Sequence, residues 1–221
     1  MGLFVQRLNR FAVLVDLDGE QVVAHLPNSG RMRELLVLGH RALLVQRSGP
    51  NRKTGYDMVL VQYQGLWVSV DARMPSALAF EALKQQALTP WCMYSQVKRE
   101  AVYGDSRLDL ELREGTRRCL VETKSVNLVC QGRALFPDAP TTRGTRHMRT
   151  LMKAVAEGIA AGVLFVIQRE DATSLSPYDE ADPEFGRALR EAAQSGVEVH
   201  AVRCRVSPEE IILVGPVPVV L

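Results

Sequence analysis

The chain has only four cysteines in 221 residues, Cys92, Cys119, Cys130 and Cys204, scattered with no C-x-x-C pair and no histidine at zinc spacing. That argues against a disulfide scaffold and a zinc module, and it fits a reduced, cytoplasmic protein. Long apolar runs are missing too. Gly2 to Val5, ahead of Arg7, is too short for a secretory signal, and no later stretch reaches the length of a membrane span, so no membrane partner is expected. There is no glycine-rich dinucleotide loop after a strand and no nucleophile elbow, which leaves little support for a small-molecule enzyme. Internal repeats and low-complexity tails are absent. The net charge is only +2, so a polyanion can be attracted only by local clusters of cations.

What is present divides the chain in two. Residues 1–72 read as β. Phe11 to Asp16, the turn Asp18-Gly19-Glu20 and Val22 to Leu26 make a hairpin signature. Ala42 to Gln46, Met58 to Tyr63 and Leu66 to Val70 are further short strands, and Arg31 to Leu36 is a short helix or turn between them. Five strands with tight turns predict a small barrel of the OB-fold kind. Residues 73–221 alternate strands and helices, an α/β pattern. A helix over Ala77 to Ala87 with Ser76 as N-cap opens it. Val97 to Tyr103, Arg107 to Leu112, Arg118 to Lys124, Gly162 to Gln168, Val197 to Val206 and Ile211 to Leu221 read as strands. Further helices are expected from Thr145 to Glu157 and from Pro183, capped by Asp182, to Gln194.

The segment from Ser106 to Val126 carries candidate chemistry. A two-residue turn at Gly115-Thr116, with glycine first as a type II′ hairpin prefers, sets Leu110 against Val121 and Leu112 against Cys119 on one apolar face. The opposite face then sets Asp109 across from Glu122, with Lys124 two residues beyond. Opposed carboxylates repel. A hard cation between them, Mg²⁺ or Mn²⁺, would reverse that, making Asp109 and Glu122 metal ligands. Two acids and a lysine are what phosphodiester hydrolysis needs. The competing reading is a solvated strand face, and this register also sets Arg113 against Arg118. Among Glu81, Glu100 and Glu111, Glu81 ranks first as a third catalytic acid, and Glu111 reads as a surface charge.

Basic residues cluster in two regions. Arg143, Arg146, His147 and Arg149 gather at the start of a helix that Thr145 would cap, where cations oppose the helix dipole unless an anion is bound. The competing reading is a solvated loop with Asp138 paired to an arginine. In the barrel, Arg7, Arg10, Arg31, Arg33, Arg52 and Lys53 are candidate DNA contacts. Residues 1–75 hold nine Lys/Arg against six Asp/Glu, more than the whole chain's excess. Tyr56, Tyr63 and Trp67 are candidate stacking platforms for a single strand, although aromatics on strands more often belong to the core. His25 reads as a loop-fixing donor, and Pro27, Asn28 and Gly30 as turn-shaping residues.

RLNRF (7–11), HLPNSGRMRELL (25–36), RK (52–53), SRLDLEL (106–112), VETKSVNL (121–128), FPDAPTTRGTRHM (136–148), LFVIQR (164–169) and DPEF (182–185) together resemble the sugar fermentation stimulation protein A family. The resemblance implies an N-terminal OB-fold followed by a PD-(D/E)xK restriction-endonuclease-like domain, nonspecific DNA binding, and an association with regulation of maltose utilisation. It sets the nuclease motif on Asp109, Glu122 and Lys124. Nuclease folds also serve as plain binding modules, so a non-catalytic DNA-binding regulator is the alternative to a metal-dependent nuclease. DNA is the expected partner, with a homodimer as a further option.

Overall fold

In the computed structural model, which describes residues 1–50 and 52–221, the N-terminal strands are β1 (Gly2–Asn9), β2 (Ala12–Leu17), β3 (Glu20–His25), β4 (Arg41–Gln46), β5 (Tyr56–Tyr63) and β6 (Leu66–Ser69). Their order is β3-β2-β1-β4-β5-β6. A parallel pairing of Ala24 with Tyr56 and His25 with Asp57 joins β3 to β5 and closes the first five into a barrel. Inward residues such as Val13, Val15, Ala24 and Met58 are fully buried. The sequence reading found five strands but missed one and misplaced another. β1 is a ring strand hidden in the short apolar start of the chain, whereas β6 lies outside the ring and pairs with β5 alone among the barrel strands.

The second domain contains α1 (Met74–Lys84), β7 (Gln96–Tyr103), β8 (Ser106–Glu114), β9 (Arg117–Val126), β10 (Val129–Cys130), β11 (Arg133–Phe136), α2 (Thr142–Ala156), β12 (Ala160–Ile167), β13 (Ser174–Pro177), α3 (Pro183–Gln194), β14 (Glu198–Val206) and β15 (Ile211–Pro216). The main sheet runs β15-β14-β12-β9-β8-β7, with β9, β12 and β14 parallel and a small β10-β11-β13 sheet beside it. Both faces are covered, as parallel strands require. Met148 and Leu151 of α2 and Phe185 and Leu189 of α3 pack on Leu120, Val163 and Phe165. On the other face Ala79 and Leu83 of α1 pack with Leu110, Val121 and Leu164. Barrel residues Leu43, Val59, Leu60 and Trp67 belong to that same cluster, so one hydrophobic core spans both domains.

Several element ends differ from expectation. α1 begins three residues early because Pro75 sits in its first turn, where a missing N–H costs nothing. α2 is capped by Thr141, whose hydroxyl accepts from the Gly144 N–H at 3.1 Å, rather than by Thr145. β15 stops at Pro216. The Ser106–Val126 hairpin has the expected register, including Leu110 opposite Val121 and Arg113 opposite Arg118. Glu111 resolves the clash of the two arginines. It is buried, accepts from both guanidinium groups at 2.8 and 2.6 Å, and is held below the usual carboxylate range: burial pushes it up, and the two arginines more than offset that.

Candidate active site and nucleic-acid interface

β8 and β9 are paired from their turn to Leu110 and Val121, and then they separate. β8 continues against β7, and β9 against β12. Asp109 is the first residue of β8 past this fork. It therefore lies one position beyond the ladder instead of in register with Glu122, a correction to the hairpin reading. Its carboxylate spans the gap and accepts from the Thr123 N–H at 2.8 Å and the Thr123 hydroxyl at 2.5 Å. Burial raises the Asp109 pKa, the charge of Glu122 raises it further, and the Thr123 bonds and Lys124 oppose both.

Glu122 lies on the α2 side of β9 with its side chain 5% exposed. One oxygen, Oε1, accepts from Lys124 Nζ at 2.6 Å and from His147 Nδ1. Burial pushes Glu122 up, but Lys124 and His147 more than offset it and hold the pKa below its ordinary value. The other oxygen, Oε2, is buried with no hydrogen-bond partner. These groups sit in a cavity of about 940 Å³ between the domains. Arg10-Phe11 and Asn28-Ser29-Gly30 of the barrel form one side, Arg73 and Ser76 at the start of α1 another, and the loop from Phe136 into α2 a third. An adjoining cavity of about 560 Å³ shares Arg73, Ser76, Asp109 and Arg143 and adds Arg99 and Arg107. A separate apolar cavity of about 600 Å³ beside β14 and β15 contains none of these carboxylates.

The barrel is tied to this site. Asp138 Oδ2 accepts from the Met32 N–H at 2.9 Å, and a Cβ on Gly30 would lie 2.7 Å from both Asp138 oxygens, so only glycine allows the approach. Asn28 Oδ1 accepts from the Gly30 N–H at 2.8 Å and shapes that turn. Asp138 thus binds a barrel loop, where the competing sequence reading had paired it with an arginine.

The candidate cations separate by what they touch. Arg10, Arg31, Arg33, Lys53, Arg143 and Arg146 are exposed. Arg143 Nε donates to His147 Nε2 at 3.4 Å, and Arg149 pairs with Glu184 at 3.0 Å. Arg7 is not a free phosphate contact. Its guanidinium donates to backbone carbonyls of Asn9, Arg10, Asn28, Gly30 and Arg31 and clamps the loop over the cavity. Arg52 is spent on the buried Asp57. His147 is 1% exposed and supports Glu122 instead of contacting solvent, because α2 docks that face on β9. Glu81 is exposed and lines neither cavity at the fork; Ser76 and Arg73 hold the place foreseen for it. The candidate stacking aromatics take the core places that strand aromatics more often hold: Tyr56 packs in the barrel interior, Trp67 in the shared core, and Tyr63 lies under the Arg169 guanidinium at 5.2 Å. The sequence reading missed Phe11, 46% exposed at the cavity, with Arg10 5.4 Å from its ring centroid.

A closed barrel joined to an α/β domain, with an acid–acid–lysine cluster between them, defines a two-domain protein of OB-fold-plus-nuclease-like architecture. Residues 5–70 match the model described as the SfsA N-terminal OB domain, and residues 73–210 match the sugar fermentation stimulation protein RE domain. The chain belongs to the sugar fermentation stimulation protein family. A homolog from Moorella thermoacetica is 46% identical over 99% of this chain and 95% of its own, and one from Desulforamulus reducens is 43% identical over 100% and 92%. The structure of SfsA from Pyrococcus furiosus in complex with Ca²⁺ superposes with a TM-score of 0.92 at 29% identity, covering 100% of this chain and 95% of that one. All four cysteines are free, and no helix among the described residues is long and apolar enough to cross a membrane.

Proposed function

We propose that the protein binds DNA and hydrolyses phosphodiester bonds with a divalent cation, Mg²⁺ or Mn²⁺, held by Asp109 and Glu122. The observation that carries this reading is Glu122 Oε2, a buried carboxylate oxygen with no donor, beside a second carboxylate whose pKa its charge raises. Buried acceptors without partners call for a reason, and of the three among the described residues, with Glu34 Oε1 and Gln168 Oε1, Glu122 Oε2 is the one whose side chain lines the cavity beside a second carboxylate. A cation ligated by both acids supplies that reason. Among the described residues no cluster of three or more His, Cys, Asp or Glu ligands forms. That suits Mg²⁺, which is bound through one or two carboxylates and completes its shell with water and substrate phosphate. The Pyrococcus furiosus relative was solved in complex with Ca²⁺, itself a hard divalent ion, which supports a cation of that kind here.

The bound ion would stabilise negative charge developing on the phosphoryl and leaving oxygens. The chain's own groups do the rest. His147 and Lys124 both hold Oε1, which leaves Oε2 free to ligate. Lys124 Nζ, beside Glu122 Oε1, would engage a phosphate oxygen or orient the attacking water. Arg143 and the first turn of α2 offer donors to a neighbouring phosphate. The alternative, a DNA-binding regulator of sugar metabolism without turnover, gives the unpartnered oxygen no role.

Wild-type protein should cleave DNA in Mg²⁺ or Mn²⁺ when offered plasmid and single-stranded substrates side by side, and EDTA or Asp109→Asn should abolish the activity. A wild type that binds DNA but never cleaves it would leave only the regulator. Equal cleavage by Asp109→Asn would remove the acids from the chemistry. For binding, Arg146→Ala should weaken affinity for all sequences about equally and lower the slope of log K against log salt by about 1, the share of one phosphate contact. An unchanged slope would take the α2 face out of the interface.

A further inference from the structure

The geometry points to a single strand of DNA, not a continuous duplex, as the polymer that reaches the acids: it is threaded between barrel and nuclease-like domain with one base stacked on Phe11. This inference rests on the proposed nuclease reading and names the substrate class of that site. Glu122 is almost wholly enclosed, so a scissile phosphate must enter the cavity to approach it. The cavity, about 940 Å³, is walled on three sides by the barrel, the start of α1 and the 136–144 loop, so Asp109 and the buried Glu122 lie among these walls and not on an open face. It is also near the upper end of small-ligand pockets, roughly 300–1,000 Å³, and so holds only a few nucleotides of one strand.

The two adjoining cavities form a path with different ends. At the barrel end is Phe11, a large hydrophobe left half exposed with Arg10 over its ring and its carbonyl 3.0 Å from His25 Nδ1. An exposed aromatic beside a cation is how sequence-independent single-strand binders hold a base. In the middle are Asp109, Glu122 and Lys124. At the far end Arg99, Arg107 and Arg143 line the second cavity beside Arg73, whose guanidinium is held by Asp57 and Asp71, and the acids of that lining are Asp109 itself and Glu100, paired with Arg107. That is an electrostatic track for backbone phosphates leaving the acids. The barrel wall is fixed in place by the Asp138–Met32 bond and the Arg7 clamp, so this narrow space is built in.

The test measures binding of the full chain to a fluorescein-labelled mixed-sequence 12-mer, as a single strand and as its blunt duplex, by anisotropy in Ca²⁺. The single strand should bind at least 10-fold more tightly. Phe11→Ala should weaken single-strand binding between about 5-fold and about 150-fold, the range spanned by loss of one stacked base, with duplex binding unchanged. Phe11→Trp should restore it. The wild-type preference needs no substitution, and melting curves of both variants check their fold. A duplex bound as tightly as the single strand, or a Phe11→Ala protein with undiminished affinity, overturns the strand path. If duplex is bound and cleaved in Mg²⁺ regardless of Phe11, the nuclease reading stands and only this inference fails. If neither nucleic acid is bound, both fall together.

Discussion

Glu122→Gln is expected to lower cleavage about 100-fold or more while leaving a folded protein. Losing a metal ligand forfeits several kcal/mol of charge stabilisation in the transition state, and each 1.36 kcal/mol is tenfold in rate. The amide keeps the volume of the side chain and still offers an acceptor to Lys124 or His147, so packing is preserved. The same substitution should also silence a readout that needs no turnover. In wild type, Ca²⁺ at 100 times its dissociation constant should stabilise the fold by about 2.7 kcal/mol through mass action. Thermal scans of Glu122→Gln should show no such Ca²⁺-dependent rise. A normal rise in the variant would mean that the ion is held elsewhere.

The largest expected stability effect lies outside the acid cluster. Asp57, its side chain 1% exposed, pairs with Arg52, with Arg73 at 3.0 Å and with Arg47 at 3.7 Å. It sits in β5 opposite His25, where the barrel closes, and Arg73 carries the tie to the start of α1. Removing one partner of a buried pair costs about 3–5 kcal/mol. Since the arginines are partly exposed and can turn to water, Asp57→Ala should cost about 2–4 kcal/mol, a fall of roughly 5–15 °C in melting temperature for a chain this long. Burial pushes the Asp57 pKa up, but its arginines outweigh burial and hold it below its ordinary value. Stability from this group is therefore complete above about pH 4, the unfolded range, and fades as pH falls toward the lowered folded value. Urea titrations should show a constant gap between wild type and Asp57→Ala from pH 7 to about 5, narrowing below about 4. A gap that widened in acid would contradict the assignment.

The parts of this architecture legible in the sequence are those fixed by local spacing. A two-residue turn and alternation set the register of β8 and β9, and with it the neighbourhood of Asp109, Glu122 and Lys124. The Asp18-Gly19 turn likewise gave β2 and β3 away, both residues taking the positive φ such hairpins use. What spacing does not encode is where one element lands on another. His147 looks like one more surface cation of a basic helix until α2 packs on β9 and buries it. Arg7 looks free until the 28–31 loop folds back over it. Glu81 fell on the right helix but a turn and more from the end that faces the acids. The fork that frees Asp109 from the ladder, where β8 stays with β7 while β9 stays with β12, is a tertiary preference with no local signal.

The core shared by Leu60 and Trp67 of the barrel with Leu110 and Val121 of the sheet has a mechanical consequence. Domains joined by a thin polar seam are expected to rock against each other, and their clefts breathe; an apolar junction removes that freedom. Here the two walls of the groove belong to one solid, so its bore is a fixed gauge. Selection among nucleic acids would then occur at the mouth, by what is thin enough to enter, with no jaw to shut behind it.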